Sequence, residues 1–282
     1  LASASRGDVV YVDGDATIDV GTNELTIPAG VTLASDRGID GAAGGEVVAP
    51  RIDQWPGVLT ANDDVRVTGL RLGGPIDEYR SYTKPVMSGL VVDGTDCEVD
   101  NVEVTGFNHA AVRLHQSAHV HHSHIHSNPM DGLGYGVLCK GGDESLIEYN
   151  RFNYNRHSVA NDGSAGYEVR YNHFGDRAVS YQVGTHQPGG TTLHIHHNTF
   201  QPTEHIATDD AVEPHVNIRG VPDDIADIHN NWFYSPEEPL DSPDMWTNEA
   251  IVQVHVDEWT NVTFDDNAYG ADEPADDIGS PR

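Results

Sequence analysis

Six polar residues occupy the same point of a five-residue strand pattern that recurs along the chain. They are Asp93, His115, Lys140, Asp162, Arg219 and His255. Lysine and arginine neutralise carboxylates and phosphates, imidazole exchanges protons near neutral pH, and Asp oxygens bind hard cations such as Ca²⁺. If the pattern repeats in space as it does in sequence, these side chains form one column with the means to hold an anionic molecule and transfer protons to or from it.

The strand pattern places the column because alternate residues of a strand share a face. We expect the aliphatic residue at the second position to point inward: Leu90, Val112, Val137, Val159, Val216 and Val252. The column then lies on the outward face together with Arg113, and the segment 178–186 adds either Tyr181 or His186. The sequence therefore predicts a locally cationic groove. The alternative is an ordinary solvated face, since outward positions are polar in any case.

A second recurring pattern consists of an aliphatic residue, two polar residues, an asparagine, any residue and an aromatic. Copies occur at 147–152, 169–174, 195–200, 228–233 and 264–269. An asparagine suits a bend, and its amide can bond the equivalent amide of the next repeat. We expect a ladder of Asn150, Asn172, Asn198, Asn231 and Asn267, and a stack of Phe152, Phe174, Phe200, Phe233 and Tyr269. Both sets are interpreted as structural, with no part in chemistry.

These repeats predict the fold. Self-similarity at intervals of about 21 to 36 residues is typical of a solenoid whose coils contain short strands and turns of unequal length. Gly, Asn and β-branched residues dominate and no helical periodicity is sustained, which excludes leucine-rich and helical repeats. The fold class is all-β, a single-stranded right-handed parallel β-helix of roughly eight or nine coils between Val31 and Tyr269. We expect one domain over residues 1–270 and an acidic, mobile tail over 271–282.

The charge balance excludes some partners. The chain has 15 Lys+Arg against 45 Asp+Glu, a net charge of -30, and its only lysines are Lys84 and Lys140. No basic stripe is present, so a nucleic-acid partner is not expected. Dispersed acid with almost no lysine resembles the surfaces of proteins from salt-adapted microbes, where the Debye length falls to about 3 Å near 1 M salt.

Cysteines and apolar runs limit the remaining possibilities. Cys97 and Cys139 are expected two coils apart, beyond disulfide reach, as unpaired thiols with Cys139 buried. The apolar runs are too short to span a membrane. The segment 1–5 lacks the charged start and long apolar stretch of a signal peptide, which fits a processed N-terminus. We expect a monomer or a small homo-oligomer.

The stretch 150–160, with its Arg156-His157 pair, is followed by Tyr167-Glu168-Val169-Arg170-Tyr171-Asn172. Here the chain resembles pectate-lyase-like right-handed parallel β-helix proteins, in particular extracellular polysaccharide lyases and their uncharacterised relatives. The resemblance extends from about Gly30 to Phe233. It implies an extracellular or cell-surface polysaccharide lyase that cleaves a uronate-containing polymer by β-elimination. The same scaffold also carries hydrolases, epimerases and binding proteins.

The resemblance also implies roles for individual residues. Lys140 is the candidate base, Arg156 and Arg219 would pair with substrate carboxylates, and His157 or His115 would serve as the acid or as an alternative base. Substrate contacts are expected from Arg113, Tyr181, His186 and His255. Ca²⁺, a usual cofactor of such lyases, would bind at Asp162 and Asp143.

Two other functions remain open. A glycoside hydrolase needs two acids about 5 to 9.5 Å apart, and Asp93 and Asp162 are expected two intervening coils apart, which is too far. A non-catalytic glycan-binding or adhesive module would use the groove without cleavage.

The run His119–His126 could supply two imidazoles to Zn²⁺ beside a carboxylate, but we interpret its histidines as surface residues that replace lysine. No nucleophilic Gly-x-Ser-x-Gly turn or phosphate-binding glycine loop occurs.

Overall fold

The computed structural model describes residues 1–21, 23–52, 57–201, 204–205, 214–234, 239, 242–243, 250–275 and 277–280. The segments 73–88, 202–214 and 235–249 lack the repeats and are predicted from the sequence as loops. Most of the last two lies outside the described residues. One short 3₁₀ turn, Ile39–Gly41, is the only helical element in the described ranges. No helix there is long and apolar enough to cross a membrane.

Short strands make up the described chain. In chain order they are β1 (Val9–Tyr11), β2 (Thr17–Asp19), β3 (Leu25–Ile27), β4 (Thr32–Ala34), β5 (Glu46–Val48), β6 (Gly57–Ala61), β7 (Arg66–Thr68), β8 (Arg71–Gly73), β9 (Ser88–Val92), β10 (Cys97–Asp100), β11 (Glu103–Thr105), β12 (Ala110–Leu114), β13 (Ala118–His121), β14 (His124–Asn128), β15 (Tyr135–Cys139), β16 (Glu144–Glu148), β17 (Arg151–Asn155), β18 (His157–Asn161), β19 (Gly166–Arg170), β20 (His173–Phe174), β21 (Arg177–Ala178), β22 (Val183–Gly184), β23 (Thr192–His196), β24 (Thr199–Phe200), β25 (Glu204–His205), β26 (Val216–Arg219), β27 (Ile225–His229), β28 (Trp232–Phe233), β29 (Ile251–Val254), β30 (Val262–Thr263) and β31 (Ala268–Tyr269).

The strands form three parallel sheets, which are the three sides of the solenoid. Sheet A has the order β1-β4-β7-β10-β13-β16-β19-β23-β27-β30, and sheet B has the order β2-β5-β8-β11-β14-β17-β20-β24-β28-β31, with β21 and β25 beside it. Sheet C has the order β3-β6-β9-β12-β15-β18-β22-β26-β29. The chain passes from A to B to C in each coil. Within the described residues, nine sheet-A strands lie between Val31 and Tyr269, so the predicted coil number is confirmed.

Aliphatic side chains from all three sheets fill one continuous core. On sheet C, Leu90, Val112, Val137, Val159 and Val216 are buried in it, as the alternation predicts. The expectation for Val252 was wrong, because Ile251 is the residue that pairs with Val216 and occupies that inward position. The last coil is therefore shifted by one residue from the predicted alignment.

The asparagine ladder connects successive coils at the bend between sheets A and B. The backbone N–H and side-chain amide of Asn150 both donate to Oδ1 of Asn172, at 2.9 and 3.1 Å. The same pair of bonds links Asn172 to Asn198, Asn198 to Asn231 and Asn231 to Asn267. The residue before each of the first four asparagines has a positive φ between 52° and 54°, which turns the chain from one sheet to the next. The predicted ladder is confirmed.

The aromatic stack lies inside the coil on the last five strands of sheet B, from β17 to β31. Rings of successive coils are nearly parallel, with centroids 4.6 to 5.6 Å apart. Such contacts between stacked rings add to the free energy gained from burying their area. The stack is therefore confirmed as a structural feature, with members Phe152, Phe174, Phe200, Phe233 and Tyr269.

Both cysteines are free, and Cys139 is buried, as predicted; Cys97 is buried too. Their arrangement differs from the expectation, since Cys97 begins β10 of sheet A whereas Cys139 ends β15 of sheet C. Burial raises the pKa of the Cys139 thiol to about 12, so this thiol is unreactive at neutral pH.

In the predicted tail, Gly279 donates a backbone hydrogen bond to Asn230 and Ser280 bonds the hydroxyl of Thr199. Whether the tail is mobile stays a prediction.

The ladder makes a testable prediction about stability. Asn198→Ala removes the acceptor for two Asn172 donors and the donor to the carbonyls of Val169 and His196. Because these groups are buried, we expect a loss of about 3 kcal/mol in the free energy of unfolding, measured by denaturant titration. Asn267→Ala, at the half-buried end of the ladder, is the matched control and should lose less. Equal losses would contradict the ladder's role.

Candidate functional site

The outward column predicted on sheet C is present over most of its length. Leu114, Cys139 and Asn161 pair in register, so the residues that follow them, His115, Lys140 and Asp162, are neighbours in successive coils. Asp93 precedes this series because Val92 pairs with Leu114. The pairing of Ala160 with Gly184, and of Gly184 with Asn217, continues the column to His186 and Arg219. His186, and not Tyr181, is therefore the member contributed by segment 178–186.

His255 does not belong to this column. Arg219 pairs with Val254, and His255 follows one position later, after the strand has ended, with a φ of 71° and an exposed side chain. The predicted alignment failed here for the same reason as at Val252. We therefore remove His255 from the candidate substrate contacts.

A bulge at the start of the sheet-C strands adds a second set of side chains to the groove. The carbonyl of His109 accepts from the N–H groups of both Gly134 and Tyr135, and the carbonyl of Gln182 accepts from both Ser158 and Val159. Two successive donors on one acceptor mark an extra residue in the strand, which changes the direction of the residues before it. Tyr135 consequently packs with Ala110, Leu138 and Ala160 in a small cluster separate from the core.

Tyr135, His157, Tyr181 and His186 form an aromatic group beside the column. The rings of His157 and Tyr181 stack with centroids 3.5 Å apart, and the rings of Tyr135 and His157 lie 5.6 Å apart. The Tyr135 hydroxyl lies 2.9 Å from Nε2 of His186, and Nδ1 of His186 lies 3.3 Å from Nη1 of Arg219. The group therefore joins two predicted site residues, His186 and Arg219, to a tyrosine that the sequence interpretation left out.

Hydrogen-bond partners assign the protons on both histidines. A guanidinium has no acceptor, so Nδ1 of His186 accepts from Arg219, and Nε2 carries the proton that is donated to Tyr135. Nδ1 of His157 lies 3.0 Å from the carbonyl of Tyr181, so it is the donor there and Nε2 is the unprotonated nitrogen. Among the described residues, Nε2 of His157 has no hydrogen-bond partner.

Burial and neighbouring cations keep these groups uncharged. Burial, reinforced by Arg219 and Arg156, lowers the pKa of His186 to about 4. Burial and Arg156 hold the pKa of His157 well below its usual range. Burial raises the pKa of Tyr135 against the opposing effect of Arg156 and Arg219. At neutral pH the two imidazoles are neutral and the phenol is protonated.

Four permanently or normally cationic side chains surround the aromatic group: Arg113, Lys140, Arg156 and Arg219. Burial lowers the pKa of Arg113, which is partly offset by Asp93 and Asp162. Nε and Nη1 of Arg156 are buried without a hydrogen-bond partner in the described chain, and the nearest carboxylate, Asp131, is 3.8 Å from Nε. Desolvated guanidinium donors of this kind favour an anionic ligand.

The first four members of the column are paired internally. Lys140 lies 3.2 Å from Asp162, and His115 lies 2.5 Å from Asp93. Lys140 must therefore leave its ion pair and lose its own proton before it can accept one from a substrate. The groove consequently presents its free positive charge at the Arg156 and Arg219 end.

Two predicted residues lie deeper than a substrate contact requires. His157 is completely buried and Tyr181 is only 3% exposed. Tyr135 is 4% exposed as well, so burial alone does not separate its role from theirs. The hydroxyl of Tyr135 faces His186 of the column, whereas that of Tyr181 donates to the backbone carbonyl of Thr185, so we assign His157 and Tyr181 to positioning Tyr135. Direct roles for His157 and Tyr181 stay predictions. Tyr135 was missed because its outward direction depends on the bulge. The signal available in the sequence was its register with His157 in the next coil.

Nothing in the site geometry supports Ca²⁺ beyond the sequence prediction. Oδ1 of Asp162 accepts from the hydroxyl and backbone N–H of Ser164, while Oδ2 faces Lys140. Asp143 is exposed in the turn between β15 and β16. Where ligand-type atoms of three residues converge within the described ranges, neither Asp162 nor Asp143 takes part. Calcium binding stays a prediction.

Residues 74–87 leave the coil between sheets B and C, and Tyr79 and Arg80 of this loop form a wall beside Pro129 and Asp131. The backbone N–H of Tyr79 donates to the Tyr154 hydroxyl at 3.0 Å, and backbone bonds join Arg80 to Pro129 and Asp131. Because Asp131 is also the carboxylate closest to Arg156, this wall borders the cationic end. The predicted loop is therefore close to the predicted groove.

Comparison with known proteins supports the architecture. A family model described as a right-handed beta helix region matches residues 86–212, which include sheet-C strands β9 to β22. The protein is a right-handed parallel β-helix. No curated protein and no solved structure gave a significant match to the chain. The β-helix scaffold is compatible with a glycan-related role, and the details of the groove carry any finer proposal.

The neutral state of His157 predicts a pH dependence of stability. Its folded pKa lies well below 6.5, so between pH 7 and pH 5 the unfolded chain binds a proton that the folded β-helix does not. Folding stability should therefore fall with falling pH, by about 2 kcal/mol for one fully shifted imidazole. His157→Asn should show a shallower fall than the wild type over this range, each measured relative to its own stability at pH 8. An unchanged slope would contradict the buried neutral imidazole.

Proposed function

We propose that the sheet-C groove binds an anionic polysaccharide and cleaves a uronate-containing chain by β-elimination. The observation that carries this proposal is the collection of Arg113, Lys140, Arg156 and Arg219 around the hydrogen-bonded Tyr135 and His186, on a protein with a net charge of -30. Such a groove attracts anions only when they come close, since the rest of the surface repels them. An extracellular or cell-surface location, where such polymers occur, is part of the proposal.

Carboxylate binding is the first step that the groove supports. Arg219 forms no ion pair with a carboxylate of the described chain, and two N–H groups of Arg156 are without a partner. A guanidinium offers two parallel donors to one carboxylate. Binding a uronate there would satisfy these donors and withdraw electron density from the adjacent C–H bond.

Elimination then needs a base for the proton alpha to the carboxylate and an acid for the leaving oxygen. We assign the base to Lys140 in its neutral amine form, after it separates from Asp162 and releases its proton to solvent, and the acid to Tyr135, whose phenol is protonated at neutral pH. As the C–H electrons form the new double bond, the glycosidic C–O bond breaks and the phenol proton passes to the departing oxygen. Arg156, Arg219 and the Nε2–H of His186 would stabilise the resulting phenolate.

A glycan-binding module without cleavage is the second candidate, favoured by the Lys140–Asp162 ion pair. A hydrolase on this column is less favoured, because Asp93 and Asp162 are separated by the coils of His115 and Lys140. Three strand spacings amount to about 14 Å, which exceeds the separation of about 9.5 Å at most in inverting glycosidases.

Lyase activity is tested by incubating the protein with polygalacturonate, alginate and glycosaminoglycans at high salt. We expect unsaturated uronate products with ultraviolet absorbance from at least one polymer. Lys140→Ala should abolish the signal, whereas Lys84→Ala removes the chain's other lysine from an exposed loop position and should leave the rate unchanged. Absence of unsaturated product from every polymer would refute elimination, and full activity of Lys140→Ala would remove it as the base.

Binding is measured separately by calorimetric titration of the same polymers. Arg219→Gln should weaken binding by about 10-fold or more, since one charge-assisted contact contributes about 1.5 to 3 kcal/mol. Arg151→Gln, which removes an exposed arginine from sheet B, is the matched control and should leave the affinity unchanged. Tight binding without product would support the non-catalytic module. Equal effects of the two substitutions would place binding outside the groove.

A further inference from the structure

A group of three potential metal ligands lies on the outward face of sheet B, away from the groove. Glu103 of β11 pairs directly with His124 of β14, and His126 is two residues further along the same face. One ligand atom from each residue lies within 4.8 Å of those of the other two. Oε1 of Glu103 and Nε2 of His126 are 3.1 Å apart, and the two imidazole rings are stacked at 4.0 Å.

We propose that Glu103, His124 and His126 bind a divalent transition-metal ion of the Zn²⁺ class. Two imidazole nitrogens and one carboxylate oxygen form a donor set that suits Zn²⁺ and Co²⁺, whereas Ca²⁺ prefers an all-oxygen environment. Ligand atoms about 2.0 to 2.1 Å from a tetrahedral Zn²⁺ lie about 3.4 Å from one another. The Glu103–His126 contact, at 3.1 Å, is close to this spacing, and the ligand atom of His124, within 4.8 Å of both, would have to move closer to reach it.

The surroundings of His126 and Glu103 favour the same arrangement. Nδ1 of His126 lies 3.0 Å from the hydroxyl of Ser127, and a hydrogen bond at the second ring nitrogen commonly orients a metal-binding histidine. Nε of Arg37 is 3.7 Å from Oε2 of Glu103. Oε1 therefore remains as the single oxygen directed at the imidazoles, and Glu103 would bind through it alone.

Glu103 is ionised and His124 is neutral at neutral pH, whereas His126 would bind a metal through Nε2 only in the tautomer that carries its proton on Nδ1, facing the Ser127 hydroxyl. The hydrogen bond from His126 lowers the pKa of Glu103 to about 2, and burial lowers the pKa of His124 to about 4. The nearby Arg71 is directed to the carbonyl of Gly44 at 2.9 Å and to Glu46, so it does not occupy the site. A cleft of about 520 Å³ lined by His124, Tyr149, Arg151 and Tyr171 adjoins the group. It leaves a fourth coordination position open to water or a small anion.

A second group, Glu98, Asp100 and His121 on sheet A, also brings three ligand-type atoms together. It is a poorer candidate, because Asp100 accepts bonds at 2.9 Å from two nitrogens of Arg66 and from the hydroxyl of Thr68. A metal would have to displace all three. The proposal is therefore limited to one site, at Glu103, His124 and His126.

The test is a calorimetric titration of the full chain, stripped with EDTA, with Zn²⁺ alone and in parallel with Co²⁺. We expect one saturable site per chain, visible absorption bands of coordinated Co²⁺ and no competition from Ca²⁺. His124→Gln and His126→Gln should each weaken binding by about 10-fold or more. His119→Gln, from the same histidine run but on sheet A, is the matched control and should bind as the wild type does.

Circular dichroism and thermal unfolding without metal establish that each variant is folded before titration. No saturable binding by the folded wild type would overturn the proposal. Unchanged affinity of the folded His126→Gln variant, or an equal loss in His119→Gln, would also overturn it. Because the site is on sheet B, neither result affects the test of lyase activity in the groove.

Discussion

The bidentate contact between one asparagine and the next is the interaction on which the rest of the β-helix depends. A buried amide that loses its partner costs about 1 to 3 kcal/mol, so each coil is held to one alignment with its neighbour. A slip of one residue would also exchange the inward and outward faces of every strand. The ladder between sheets A and B therefore fixes residues on sheet C, where nothing but strand pairing and core packing would otherwise align His115, Lys140 and Asp162.

Electrostatics distinguishes the sheet-C groove from the other faces. On sheet A, arginines are paired with carboxylates of neighbouring coils, as Arg66 is with Asp100 and Arg170 is with Glu148, and Arg71 of sheet B faces Glu46 in the same way. In the groove, Arg156 and Arg219 lie among neutral aromatic rings. Because burial and these cations act together, His157 and His186 stay neutral and no further positive charge accumulates. A highly acidic protein can thus keep a small region that receives an anion.

The sequence was sufficient for the features that follow a strict period. The ladder, the ring stack and the column from Asp93 to Arg219 all arise from counting along regular strands, and these expectations were correct. The errors lie where the period breaks. The bulge at Gly134 and Tyr135 turns the Tyr135 side chain into the groove. The last coil begins one residue earlier than the alignment assumed, which removed His255.

The burial of individual side chains, and the approach of residues from different coils to one another, were the other features that the sequence did not predict. The complete burial of His157 results from the rings of Tyr135 and Tyr181, which belong to different coils. The nearness of Glu103 to His124 and His126 likewise requires the pairing of β11 with β14, whereas the histidine run alone suggested a solvated surface. Because the coils differ in length, contacts between residues of different coils cannot be predicted by counting along one repeat.

The central claim is that the register assembles a groove on sheet C that receives an anionic polymer. Hydrogen–deuterium exchange with and without a bound polyuronate tests it most directly, because it locates the contact without a substitution. The account predicts slower exchange in residues 109–115, 134–140, 156–162, 183–186 and 215–219, with strands of sheets A and B unchanged. Protection confined to sheet A or sheet B at saturating polymer, or no protection at all, would contradict it.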